Sequence, residues 1–343
     1  VGVDSAAVGA AAASGAVANA TPFAVVACPL VEASGRPVVA VIVKGTFGVE
    51  RSKVVPVEPR PVRMSDVPRD EGDPWSSLRY ASDLCPRKHG ADVVAVGEAI
   101  SPRPVAVMDL AIQVRGAAAP LRVHGPRVYY AWLGQVAIGP AAPFERVPLV
   151  YEKAYGGRTG DLKLIEPRNP SGAGVAQRPH DLIDRLAPQI EHPAHPIDGP
   201  LARPAPAGYG PIPAHWSPRR ERAGTFDERW KAERMPLMPL DFDVRHHNVA
   251  HPALILDEPL RASDPVAVLG MSPDGLFRFE LPALPVVIHA RFDSGRKVSV
   301  RPEIDTLVLE PAERRFEIAG RHAFPIGRGV EVLRELRVDL DSG

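Results

Sequence analysis

Apolar and polar positions alternate with a period of two over long parts of this chain, and that period predicts strands. In "GLFRFELP", Phe277, Phe279 and Leu281 fall on one face and Arg278 and Glu280 on the other. In "PVVIHARFD", Val286, Ile288, Ala290 and Phe292 oppose His289, Arg291 and Asp293. The turns "SPDG" at Ser272 and "DSGR" at Asp293 have hairpin chemistry. "KVSVRP", "DTLVLEP" and "RRFEIAG" continue the series, so the last seventy or so residues read as a β-meander. Earlier, "AVMDLAIQV" aligns Ala106, Met108, Leu110, Ile112 and Val114 against Asp109 and Gln113. "PVVAVIVKGTFGV", Pro37 to Val49, is almost continuously apolar, as for a strand buried on both faces, and "DVVAVGEAI" follows it. "LRVHGPRVYYAWL" predicts a hairpin turning at Gly125-Pro126.

Helical signal is confined to "TFDERWKAERMP". Thr225 and Glu228 have the spacing of a capping box, Phe226 and Trp230 share a face, and Pro236 stops the helix. Proline changes the picture further: 39 of 343 residues, about twice the usual ~5%. Short elements and long irregular connections follow, because proline breaks helices and central strands. Residues 179–218 alone hold ten prolines. The expected fold is mainly β: antiparallel sandwich or open-barrel sheets, long proline-rich loops and one or two short helices. The Ala/Gly-rich residues 1–20 read as a flexible arm. Residues 21–175 form an N-terminal β-rich part, and 176–343 carry the proline-rich loop, the helix and the meander, packed on the first part. No repeat of fixed period is present.

Charge and cysteine usage narrow the function classes. Basic and acidic residues number 41 each, whereas a nucleic-acid binder usually carries a basic excess. No apolar run approaches the roughly 20 residues of a membrane helix. Two cysteines, Cys28 and Cys85, make no disulfide framework and favour a reducing, cytoplasmic compartment.

Patterns that carry chemistry are weak. Gly156-Gly157, in "VPLVYEKAYGGRTGD", lacks both the Lys-Ser/Thr of a P-loop and the three spaced glycines of a dinucleotide fold, so a conformationally demanding turn is the better reading. His246-His247 and His251 are the nearest approach to a metal cluster, but adjacent histidines on a strand point to opposite faces, and no zinc spacing is present. Cys85 and His89 sit in a turn-like "DLCPRKHG". Asp241 and Asp243, two apart on an extended segment, would suit glycoside chemistry, although such pairs are commonly solvated or arginine-bound. Arg219-Arg220 and Arg222 make a basic spot, for which Asp227, Glu228 and Glu233 are ready partners.

Several segments taken together resemble one bacterial family. They are "SDLCPRKHGADVVAVGEA", "YEKAYGG", "NPSGAG" from Asn169, "HWSPRRERAGTFDERWKAERMPLMPLDFDVRHHN" from His215 to Asn248, and "RPEIDTLVLEP". The family is the domain of unknown function twenty-one sixty-nine, and the resemblance runs from about Pro22 to Pro325. The chain departs from it at His246-His247, where aromatics are usual. The resemblance implies a non-enzymatic cytoplasmic adaptor or chaperone of type VI secretion. It would bind a protein partner, either a toxin effector or a PAAR-like or spike module, with no catalytic residue, metal or cofactor. In the resemblance the Tyr155-Gly156-Gly157 and Asn169–Gly174 segments look like folding determinants or part of a recognition surface. The partner-binding candidates, chosen because binding residues concentrate in irregular segments, are Tyr155, Gly156, Gly157, Asn169, Arg219 and Arg220, with the proline-rich stretch between them. The competing expectations are a carbohydrate-active hydrolase using Asp241 or Asp243, and a carbohydrate-binding module using Trp132, Trp216 or Trp230.

Overall fold

The apolar run at Pro37 becomes the longest strand, Pro37–Glu50, which is buried along nearly its whole length. It pairs antiparallel with Arg315–Pro325, and this two-stranded ribbon is the spine of the molecule. The computed structural model describes residues 17–327 and 332–341. Around the ribbon lies a seven-stranded sheet. Its order is Ile255–Leu256, Ala91–Ala95, Glu303–Glu310, Arg315–Pro325, Pro37–Glu50 and Ala24–Val31, with Lys53–Pro56 also on Pro37–Glu50. All its pairings are antiparallel except Ala91–Ala95 with Glu303–Glu310.

Two further sheets close over the ribbon at different points along its length. A five-stranded sheet runs Ile190–Glu191, Ala117–His124, Val107–Val114, Pro265–Leu269, Leu276–Glu280. Its apolar face meets Phe47, Phe316 and Ile318 of the ribbon in the larger core. Phe316 stacks on Phe47 at 5.3 Å and on Phe279 at 4.1 Å between ring centroids. A four-stranded sheet runs Ala18–Asn19, Leu333–Leu340, Val286–Phe292, Lys297–Val300. It covers Val39, Val41, Val43 and Phe324 in a second core. Phe23 and Leu284 touch both cores.

The mainly β expectation holds, as several sheets with no closed barrel among the described residues. Phe277, Phe279 and Leu281 are buried as the alternation predicted, and so are Val286, Ile288, Ala290 and Phe292. The meander is corrected in one respect. Its three successive hairpins do not continue one sheet but supply the five-stranded, the four-stranded and the central sheet in turn. Alternation fixes which side of a strand is apolar, not which apolar surface it meets. The hairpin at Gly125-Pro126 is also corrected: Tyr129–Trp132 pairs instead with Gln135–Ile138, around Leu133 and Gly134. A side chain on Gly125 would lie 1.8 Å from the Ala142 carbonyl oxygen, so that glycine serves a close backbone approach. Most of the proposed arm lies outside the described residues. Its end is seated, with Ala18–Asn19 parallel to Leu333–Leu340.

The proline-rich stretch is not a spacer. Ala207, Tyr209, Ile212 and Trp216 are part of the larger core. The Tyr209 carbonyl accepts from Ala95 N at 2.9 Å, and its hydroxyl donates to Ala119 O at 2.7 Å. Proline suits a segment that must be ordered without a ladder, since it has no N–H to satisfy.

Candidate functional site

The Tyr155-Gly156-Gly157 motif folds into a closed unit with Asn169 at its centre. Tyr155–Gly156 pairs in parallel with Ala173–Gly174. Asn169 is fully buried. Its Nδ2 donates to the carbonyls of Tyr151 at 2.7 Å and Tyr155 at 3.0 Å, and its own carbonyl accepts from Gly157 N at 2.7 Å. Gly156 has φ +151° and Gly157 φ +112°. A Cβ on Gly156 would stand 2.2 Å from the Asn169 carbonyl oxygen. Both glycines are therefore required by conformation and by contact. Tyr155, Gly156, Gly157 and Asn169 are all buried, so they shape the chain and present no side chain to a partner.

The Arg219–Arg222 turn is built differently. Arg219 is buried, donating from Nε to His246 O at 2.9 Å and from Nη1 to Ile212 O at 2.6 Å. His246 Nδ1 returns a contact to Arg219 O at 2.8 Å. Arg219 is thus a structural clamp. Burial pulls its pKa down, opposed by attraction from Asp66 and Asp92. Arg220 is exposed. Arg222 donates to the Arg245 carbonyl at 3.4 Å and attracts the Asp243 carboxylate, which Arg245 already holds. The carboxylates expected to neutralise this spot are engaged elsewhere. Asp227 caps the helix Glu228–Glu233 by accepting from Trp230 N, Glu228 pairs with Lys231 and Glu233 with Arg229. Glu221 accepts from the Ser217 hydroxyl.

The helix itself starts two residues later than expected. Asp227 is its cap, and Thr225 instead binds the Asp241 carboxylate through its N–H at 3.0 Å and its hydroxyl at 2.8 Å. That clasp is what occupies Asp241, whose pKa the Thr225 N–H and hydroxyl lower. Asp243 caps Val244–His247 and pairs with Arg245, which lowers its pKa too. Neither acid is held protonated, as a glycosidase acid must be.

The other sequence candidates scatter. His246 and His247 lie in a 3-10 turn, not a strand, and cluster with Phe242. Burial and then His246 push His247 down to about 4. No group of three or more metal-ligating side chains occurs among the described residues. Burial raises the Cys85 thiol, the reverse of an activated nucleophile, and His89 faces Asp257. Trp216 is wholly buried, Trp132 is 60% exposed on its own hairpin, and half-buried Trp230 donates to Leu237 O. The tryptophans form no common platform for a sugar.

One feature escaped sequence reading. The face of the ribbon away from the two cores carries a buried ionic layer. Lys44 Nζ lies 3.0 Å from both Asp83 and Glu317, and Arg63 joins Glu317 at 2.7 Å. Burial alone would raise Glu317, but Lys44 and Arg63 outweigh it and hold its pKa below the usual range. The layer continues through Arg321 with Asp305, and through Lys88 with Asp92 at 2.7 Å. Asp92 accepts from Asn248 Nδ2 at 3.1 Å and Val249 N at 3.0 Å. It thereby fastens the irregular 244–250 segment to the central sheet. The signal was Lys44, a lone charge in the middle of an apolar run.

These features define a multi-sheet β protein whose irregular connections are fastened rigidly to the sheets. Residues 34–321 match the family described as "Uncharacterized protein conserved in bacteria (DUF2169)", and the chain belongs to that family. No curated protein and no solved structure matches it. No helix among the described residues is long and apolar enough to cross a membrane.

Proposed function

We propose that this protein is a non-enzymatic adaptor that binds a protein partner, a toxin effector or its PAAR-like or spike module, for loading onto a type VI secretion spike. One observation carries the reading. The segment from His215 to Asn248 is irregular yet anchored by buried Trp216, Arg219 and Asn248, and it still turns unmatched groups outward. Binding residues concentrate on loops held by a rigid scaffold. The secretion context comes from the sequence resemblance. Hydrolysis through Asp241 and Asp243 finds no support in their surroundings, since Thr225 and Arg245 occupy both carboxylates.

Co-expression with the products of neighbouring genes tests the proposal. An affinity-tagged adaptor is expected to retain a toxin or spike protein through gel filtration and to raise the toxin's level in cells. Absence of any neighbouring product from the complex, or turnover of a glycan lost in Asp241→Asn with Asp243→Asn, would overturn it.

A further inference from the structure

The outward side of the His215–Asn248 segment carries both exposed basic and exposed apolar side chains. Among the described residues neither Arg220 nor Arg222 comes within salt-bridge distance of a carboxylate, although Arg222 attracts Asp243 from farther off. Their four sequence-near carboxylates, Glu221, Asp227, Glu228 and Glu233, are each held by another group. The Asp243 carboxylate is taken by Arg245. The short helix that follows is neutral by pairing, Arg229 with Glu233 and Lys231 with Glu228. Beside the arginines, large apolar side chains reach solvent: Phe226 is 51% exposed, Met235 61% and Leu240 82%. The Thr225–Asp241 clasp brings the chain at Phe226 and at Leu240 together. Met235 N bonds the carbonyl of the same Trp230 that Phe226 packs on. Asp243 N donates to Arg222 O, which sets the arginine turn next to the clasp. Phe226 stands edge-on to Trp230 with ring centroids 4.8 Å apart, so its ring is held on one side and open on the other.

We propose that this patch is a docking surface for a protein segment carrying carboxylates next to large apolar side chains, with Arg220 and Arg222 as charge anchors and Phe226, Met235 and Leu240 as the apolar contact. Charge complementarity selects the occupant. Arg220 has no salt bridge among the described residues, and the one carboxylate near Arg222, Asp243, is shared with Arg245. The two guanidiniums can therefore take an anionic partner, and Arg binds carboxylates in a bidentate fork. The flanking apolar area excludes a free small anion as the sole ligand, since solvent-facing Met and Phe gain from burial only against another apolar surface. Arg, Met and aromatic residues are also the types enriched at protein interfaces. The inference deepens the adaptor reading, on which it rests for the partner's identity, by giving that partner's chemistry.

The probe is a phage-displayed library of random dodecapeptides, selected on the full chain at low and at moderate salt. Selected peptides are expected to combine Asp or Glu with Leu, Phe or Trp, and their affinity is expected to fall as salt rises. Two variants then carry the test, each checked for an unchanged thermal melt: Arg220→Glu with Arg222→Glu, and Met235→Asp with Leu240→Asp. Each should weaken a synthetic selected peptide at least about tenfold, as expected when a charge pair or a desolvated apolar anchor is lost. Peptides lacking carboxylates, no selected peptide at all, or undiminished binding by either folded variant would overturn the surface. Failure here is separable from failure of the adaptor reading. Equal capture of a neighbouring toxin by wild type and both variants overturns this surface alone. Peptide binding as expected, with no neighbouring product captured, supports the surface and overturns the adaptor reading.

Discussion

Two irregular units, Tyr151–Val175 and His215–Asn248, carry the residues that mark this chain out, and they solve the same problem in opposite ways. Each must hold a backbone that has few ladder bonds. The first turns its polar groups inward: Asn169 bridges two carbonyls, and Gly156 and Gly157 admit it at close range. Most of its charges are matched, Arg158 by Asp73, Lys163 by Asp161 and Arg168 by Glu166, while Lys153 donates to the Gln189 side chain and Glu152 accepts from Ser77; Leu162 and Leu164 reach solvent. The second is fastened from beneath, by Arg219 to two carbonyls and by Asn248 to Asp92, and leaves Arg220 and three large apolar side chains exposed above, with Arg222 only weakly held by the Arg245 carbonyl. A glycine motif and an arginine motif of equal prominence in a sequence can thus belong to a fastening and to a surface respectively. Backbone satisfaction, not motif strength, separates them.

The sharpest way to break the comparison is at Gly156. Gly156→Ala forces a Cβ to 2.2 Å from a backbone oxygen at a positive φ. We expect a loss of about 3–5 kcal/mol in urea unfolding, in the range reserved for backbone strain joined to steric overlap. A loss under about 1 kcal/mol would mean that the first unit is pliable and that its burial is incidental.

Acid should strike the second unit first. His247 is buried and its pKa is pushed down to about 4, from a usual value near 6.5. Above about pH 6.5 it is neutral in both folded and unfolded chains, so it contributes no pH dependence. As pH falls from about 6.5 to 4 the unfolded chain takes up a proton that the folded chain refuses, and stability declines by up to about 3 kcal/mol. Burial also lowers His246 and His251, which adds to the same window. Residues 151–175 contain no histidine. His247→Phe should flatten, though not abolish, the loss between pH 6.5 and 4.5 in urea melts. An unchanged slope would show that His247 is protonated in the folded protein.

Arg219 and Arg220 divide the comparison within a single dipeptide. Arg219→Leu strands the carbonyls of His246 and Ile212 and should cost about 2 kcal/mol, set by unmet buried acceptors. The charge reversal that would suit a surface arginine would here unfold the clamp, so Arg219 is a poor probe of binding. Equal melts for Arg219→Leu and wild type would place Arg219 outside the fold's support.

Much of this was legible in the sequence, and the failures share a cause. Phe277, Phe279, Val286 and Ile288 could be placed because a two-residue period depends only on the strand itself. The distribution of three hairpins among three sheets could not, since it depends on which distant surfaces remain open. Thr225 looked like a cap because its spacing to Glu228 fits, but Asp241, sixteen residues on, outcompetes the helix for its hydroxyl. Asp227 takes the cap instead, and Asp227→Ala should cost about 1 kcal/mol in thermal unfolding. Arg219 and Arg220 are alike as letters, and only their tertiary neighbours make one a clamp. The ionic layer was hinted at by Lys44 alone, because Asp83 and Glu317 lie far from it along the chain.

The smallest expected effect is the most discriminating. Arg220→Ala combined with Leu240→Ser removes one unpaired guanidinium and a side chain that is 82% exposed. Neither supports a buried contact, so the double variant should unfold within about 0.5 kcal/mol of wild type, as surface substitutions away from caps and networks do. Both residues belong to the proposed docking patch, so partner binding should weaken while the melt stays in place. A stability loss of about 2 kcal/mol or more would show that these groups are tied into the fold after all. The two units would then be two versions of one fastening, and the distinction between them would fall.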